Sequence, residues 1–149
     1  MSTEDELVAF ATEAHQRLWS AGSNVSEQTK KSQRVCTTWQ KAARDRFGSR
    51  FAAEVCLNES GRAQKIDLVD AEERTAYELK SSPNNVHMEI YRDVFKALVF
   101  NERNPMRCLT KLVFIAPKKG IQKLGPTFPK DVQTISARMG LELKLRKMS

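Results

Sequence analysis

The sequence predicts an α/β sandwich: a mixed central β-sheet flanked by helices, with an extra helix at the N-terminus. Three observations predict it. Two short alternating runs, Lys65–Asp70 and Thr75–Lys80, flank a charged break, Ala71-Glu72-Glu73-Arg74. Alternation is the period of a strand, and the short charged break reads as a hairpin loop. Residues 109–116, LTKLVFIA, are nearly continuously apolar, as in an interior strand. Apolar residues at helical spacing fill the stretches before, between and after these runs. The resulting order is helix, helix, three strands, helix, strand, helix, strand.

Thr3 followed by Glu6 reads as a capping box, so a first helix is expected from about Glu4. Leu7, Phe10, Ala11, Ala14 and Leu18 give it an apolar face, and Gly22 closes it. Residues 21–26 are a short linker. Glu27 to Phe47 reads as a second helix, with Val35, Trp39, Ala42 and Ala43 on its apolar side and Gly48 as its stop. Lys30, Arg34, Lys41 and Arg44 lie close to one stripe of it. That stripe reads equally as a solvated face or as a phosphate-contacting one.

Residues 50–58 form the candidate first strand, with Ala53, Val55 and Leu57 on one face and Glu54 and Cys56 on the other. Glu54 is a lone charge in an apolar strand, which is costly unless it is paired or metal-bound. Asn58 to Arg62 is the turn into the central hairpin. After it, Ser81 to Asn85 breaks the strand and starts a helix that runs to about Glu102. Val86, Ile90, Val94, Ala97, Leu98, Tyr91, Phe95 and Val99 give that helix a wide apolar side. His87, at its start, has no nucleophile pattern nearby and reads as structural or surface. Asn84 and Asn85 are placed near any polyanion bound at the hairpin. Pro117 to Gly120 ends the apolar strand in a basic loop whose Lys118 and Lys119 could touch phosphates. Pro129 to Met139 is a further helix with Val132, Ile135 and Met139 facing in. Leu141, Leu143 and Leu145 then alternate along a half-exposed edge strand.

The hairpin carries the chemistry. If Asp70 faces Thr75, then Leu68 faces Tyr77 and Asp67 faces Glu78. One face is then Ile66, Leu68, Tyr77 and Leu79. The other is Asp67, Val69, Ala76, Glu78 and Lys80. Two facing carboxylates repel unless something positive lies between them. A divalent cation does this well, and Mg²⁺ takes one or two carboxylates together with water and phosphate oxygens. Lys80 points the same way and could hold a water or a phosphate oxygen. The alternative is an ordinary wet face with a weak Asp67–Lys80 or Glu78–Lys80 pair.

The chain has 149 residues, 40% of them apolar, which suits one domain with a real core. A formal charge of +7 favours a polyanionic partner, nucleic acid before membrane. Cys36, Cys56 and Cys108 are widely spaced and odd in number, so neither a disulfide framework nor a zinc cluster is expected. Residues 1–10, MSTEDELVAF, lack the order of a signal peptide, and no apolar run approaches membrane-spanning length. A cytoplasmic location with reduced thiols is the expectation.

Asp67, ten intervening residues, then Glu78-Leu79-Lys80 on neighbouring strands resembles the PD-(D/E)XK nuclease superfamily. Residues 77–81, YELKS, are similar to the same strand in several type II restriction endonucleases. Lys65-Ile66 stands where the name-giving proline would precede the aspartate, a loosely kept position. The resemblance covers residues 34–116. It implies a restriction-endonuclease-like core over residues 26–149, with residues 1–25 as a helical appendage. It implies a Mg²⁺-dependent DNA endonuclease of restriction or phage-defence type, with Mn²⁺ able to substitute. Asp67, Glu78 and the main-chain carbonyl of Leu79 would bind the metal, and Lys80 would orient the water and neutralise the developing oxyanion. The superfamily often adds an acidic residue from its first helix or strand, which points to Glu54. Its small members are usually homodimers. A Holliday junction resolvase or repair nuclease of the same fold, and a non-catalytic DNA-binding or assembly protein, are the alternatives.

Overall fold

The computed structural model describes residues 1–20, 24–57, 64–82, 86–124 and 130–149. The expected turn at 58–62, Asn84, Asn85, Pro129 and the side chain of His87 lie outside that description. The elements are α1 (Thr3–Leu18), α2 (Val25–Phe47), β1 (Phe51–Cys56), β2 (Lys65–Asp70), β3 (Thr75–Leu79), α3 (Val86–Arg103), β4 (Lys111–Ala116), α4 (Lys118–Leu124), α5 (Lys130–Arg138) and β5 (Glu142–Lys147). Single 3₁₀ turns follow α2 and α3. The protein is mixed α/β, with five strands in the order β1-β2-β3-β4-β5. The first three are antiparallel neighbours, whereas β3–β4 and β4–β5 are parallel. Parallel neighbours need long crossovers. The α3 stretch supplies one and the α4–α5 stretch the other.

Helices cover both faces of the sheet. Leu68, Tyr77, Leu79, Val113 and Ile115 pack with Leu7, Ala11, Val35 and Trp39 of α1 and α2. Val69, Ala76, Leu112 and Phe114 pack with Ile90, Val94 and Ala97 of α3. The N-terminal helix thus shares a core with the strands. The indole N–H of Trp39 donates to the Leu7 carbonyl at 3.0 Å, tying α2 to α1. Among the described residues no helix is long and apolar enough to cross a membrane.

Several expectations are corrected. The first helix is capped by Ser2, not Thr3: its hydroxyl accepts from the Asp5 amide at 3.1 Å, and the Asp5 carboxylate returns the bond. Ser2 has extended backbone, as an N-cap requires, and Thr3 is already helical. The hairpin has the expected register, Leu68↔Tyr77 and Asp70↔Thr75, and the expected apolar face but for one residue. Ile66 joins the α3 core rather than that of Leu68. The cause lies in β1, where Glu54 takes a left-handed backbone, φ +52°. The β1–β2 pairing skips Glu54 and Asp67, and beyond that point Val55 and Ile66 pack with the α3 core.

The wet-face alternative also fails, because α3 covers it: Glu78 and Lys80 are buried. Tyr91 and Phe95 are 51% and 68% exposed, and Ile135 and Met139 are exposed too. In α5 the predicted inward Val132 packs against the α3-side core, and the fully buried position is Ser136. The basic loop after β4 is instead the first turn of α4.

Candidate metal centre

The open end of the β2–β3 hairpin forms the floor of a cleft of about 690 Å³. Cys36 of α2, Glu54 of β1, Asp67 of β2, Glu78 and Lys80 at the end of β3, and Lys96 of α3 all line it. Asp67 and Glu78 fall one rung beyond the last paired residues, Leu68 and Tyr77. Where the ladder stops, the Leu79 amide donates to Asp67 Oδ2 at 2.9 Å instead of to a backbone carbonyl. The side chain replaces a strand partner, so the carboxylate is held at a fixed place. The predicted carbonyl ligand therefore belongs to a residue whose own N–H already fixes Asp67.

The two carboxyls meet. Glu78 is fully buried and Asp67 half-buried, and both line the cleft close enough for the charge of Asp67 to bear on Glu78. Burial raises the Glu78 carboxyl well above its ordinary range, and the charges of Asp67 and Asp93 raise it further; Lys80 and Lys96 oppose this. Burial also raises Asp67, against the charge of Lys80 and the Leu79 hydrogen bond.

Two lysines stand behind this pair. The Lys80 ammonium contacts the Asp93 carboxylate and lies 3.5 Å from Glu89, both on α3. Burial works against its charge, but Asp93, Glu78 and Glu89 outweigh it and hold the ammonium above the ordinary lysine range. Lys96 Nζ lies 2.8 Å from Glu78 Oε1 and 2.9 Å from Asp93 Oδ1, and donates to the Lys65 carbonyl at 2.7 Å. The Glu78 and Asp93 oxygens make these ion contacts without well-directed hydrogen bonds. Asp93 and Lys96 are absent from the residues that the sequence pattern singles out. Their signal is nonetheless there: two charges three apart within the buried stripe Ile90, Val94, Ala97.

Glu54 does not sit in an apolar setting. Its side chain is exposed at the cleft, and Gln40 Nε2 donates to Glu54 Oε1 at 3.2 Å and to the Asp67 carbonyl at 2.7 Å. Gln40, buried on α2, is also unforeseen from the sequence. So is Cys36, whose sulfur lies within 4.8 Å of carboxylate oxygens of Glu54 and Asp67. A carboxylate set of this kind, with hard oxygen donors held by N–H groups, fits Mg²⁺ or Mn²⁺.

The predicted basic contacts sit around the cleft rather than in it. Lys30 and Arg34 line a neighbouring groove with Gln33 and Thr37, and Lys41 and Arg44 another with Gly48 and Ser49. All four are exposed, and Lys41 pairs with Asp45 at 2.5 Å. Lys118 and Lys119 are exposed at the carboxyl end of β4. That is the end where the Lys80 amide bonds the Ile115 carbonyl. Comparison with protein-family models, curated proteins and solved structures returns no match to this chain.

Proposed function

We propose that this protein is a Mg²⁺-dependent DNA endonuclease with a restriction-endonuclease-like core, acting as a homodimer. The observation that carries the reading is the convergence of Asp67 and Glu78, one rung past the end of the β2–β3 ladder, on the lining of one open cleft. Asp67, Glu78 and the Leu79 carbonyl would hold the metal, and Glu54 would add a carboxylate from the neighbouring strand β1. A bound divalent ion supplies Lewis acidity and lowers the pKa of a coordinated water. The Lys80 ammonium donates hydrogen bonds toward the phosphoryl oxygen and the attacking water, and Asp93 keeps it charged and oriented. The exposed lysines and arginines around the cleft supply contacts to the phosphate backbone.

A second reading has its own support: the Lys80 ammonium is engaged by Asp93 and Glu89, as in a DNA-binding protein whose lysine only stabilises the fold. One experiment separates the two. Supercoiled plasmid is incubated with the protein and Mg²⁺ or Mn²⁺, with EDTA as control. Nicking or linearisation that EDTA stops and Asp67→Ala removes supports the nuclease. DNA retention without metal-dependent cleavage in either ion sinks it and leaves the binding protein.

A further inference from the structure

Cys36 has no part in the mechanism above, yet it faces the same carboxylates. We propose that Cys36 Sγ, Glu54 and Asp67 form a binding site for a thiophilic divalent cation such as Zn²⁺, distinct in its donor set from a Mg²⁺ site. Three donors reach this point from three elements, α2, β1 and β2, and their ligand atoms lie within 4.8 Å of one another. Bonds of about 2.0–2.3 Å to zinc put neighbouring ligand atoms roughly 3.5 Å apart, so small side-chain rotations close the site. Mg²⁺ prefers oxygen alone, whereas a thiolate with two carboxylates suits Zn²⁺ and leaves a fourth position open to the cleft.

A second observation points to a cation. One oxygen of each carboxylate is held by an N–H donor from outside the cluster. The Leu79 amide holds Asp67 Oδ2, and the Gln40 side-chain amide holds Glu54 Oε1. Gln40 is itself buried and is anchored by its bond to the Asp67 carbonyl, so it locks two of the donor residues together. Outer partners of this kind orient metal ligands. On binding, the thiol proton leaves to solvent and the thiolate becomes a ligand.

The test uses the full chain under reducing conditions with Co²⁺, a spectroscopic substitute for Zn²⁺. The expected result is a thiolate-to-cobalt charge-transfer band that Zn²⁺ abolishes by displacement. Cys36→Ser should remove the band, and Cys56→Ser and Cys108→Ser should keep it. Gln40→Leu should weaken Co²⁺ binding by about tenfold to a hundredfold with the band retained. Should Cys36→Ser not fold, Glu54→Ala, at an exposed position, must weaken binding by about tenfold or more. A band that survives Cys36→Ser, no band in the wild type at millimolar Co²⁺, or unchanged affinity in Glu54→Ala overturns the proposal. The inference is separable from the nuclease reading. A protein that binds Co²⁺ through Cys36 but cuts no DNA supports it and refutes only the nuclease. One that cuts with Mg²⁺ and gives no thiolate band refutes it alone.

Discussion

The β2–β3 hairpin buries carboxylates at both ends, and the two ends treat them in opposite ways. At the turn, Asp70 is fully buried and fully satisfied. Arg50 grips it with two bonds, Nε to Oδ1 at 2.8 Å and Nη2 to Oδ2 at 2.6 Å. The amides of Glu72 and Glu73 add bonds to Oδ1 at 3.0 and 3.2 Å. The guanidinium also lies against the rings of Phe47 and Phe51. At the open end, Glu78 and Asp93 crowd around Lys80 and Lys96 in contacts that are close but poorly directed. A buried ion pair is tolerable when every lone pair has a partner. The turn end is satisfied within the protein, whereas at the open end the charges of Asp67 and Asp93 add to burial in raising the Glu78 carboxyl.

The largest effect that tests this contrast is on chemistry. Asp67→Ala or Glu78→Ala should cut Mg²⁺-dependent cleavage by roughly a thousandfold, about 4 kcal/mol of transition-state stabilisation, while DNA binding stays largely intact. Cleavage at the wild-type rate in either variant would remove that residue from the metal set.

Asp70→Ala should do the reverse. It leaves a partly buried guanidinium without its main partner and should cost about 3 kcal/mol of folding stability, measured by urea unfolding. If Asp70→Ala is as stable as the wild type, the turn end is not the structural one.

Lys80→Arg comes next. A planar guanidinium cannot take the place of a compact ammonium between Asp93 and the cleft. Single-turnover cleavage at saturating enzyme should fall by about a hundredfold, with metal affinity retained or slightly raised. Wild-type single-turnover rates would leave Lys80 as a structural lysine.

A smaller effect appears in stability against pH. The folded-state Glu78 carboxyl is raised above its unfolded value, so its protonated form favours folding. Its contribution is fully present below about pH 4.5 and is lost as the pH rises through the folded value. The metal-free wild type should therefore lose stability over that rise relative to Glu78→Gln. Parallel melting curves for the two proteins from pH 4 upward would dispose of a raised Glu78 carboxyl.

The smallest effect is at the periphery. Lys118→Ala should weaken DNA binding modestly and lower its salt slope by about one, with the single-turnover rate unchanged. A changed rate at saturation would place Lys118 in the chemistry instead.

Local periodicity determined much of this molecule. The alternation of 65–70 and 75–80 set the hairpin register, and with it the neighbouring places of Asp67 and Glu78. Helical spacing set α1, α2, α3 and α5 to within a few residues, and the apolar run set β4 as an interior strand. These features are legible because their causes act within one or two turns of chain. Only the tertiary structure decided what surrounds the carboxyl pair. The crossover through α3 lays Asp93 and Lys96 over Glu78 and turns an expected wet face into a buried one. The left-handed backbone of Glu54 splits Ile66 from Leu68 and opens the rung at Asp67. Helix α2 brings Gln40 and Cys36 to the same point from 27 and 31 residues away in sequence, counted from Asp67. Contacts between residues so far apart depend on how the layers stack and twist, and short-range pattern carries no record of that.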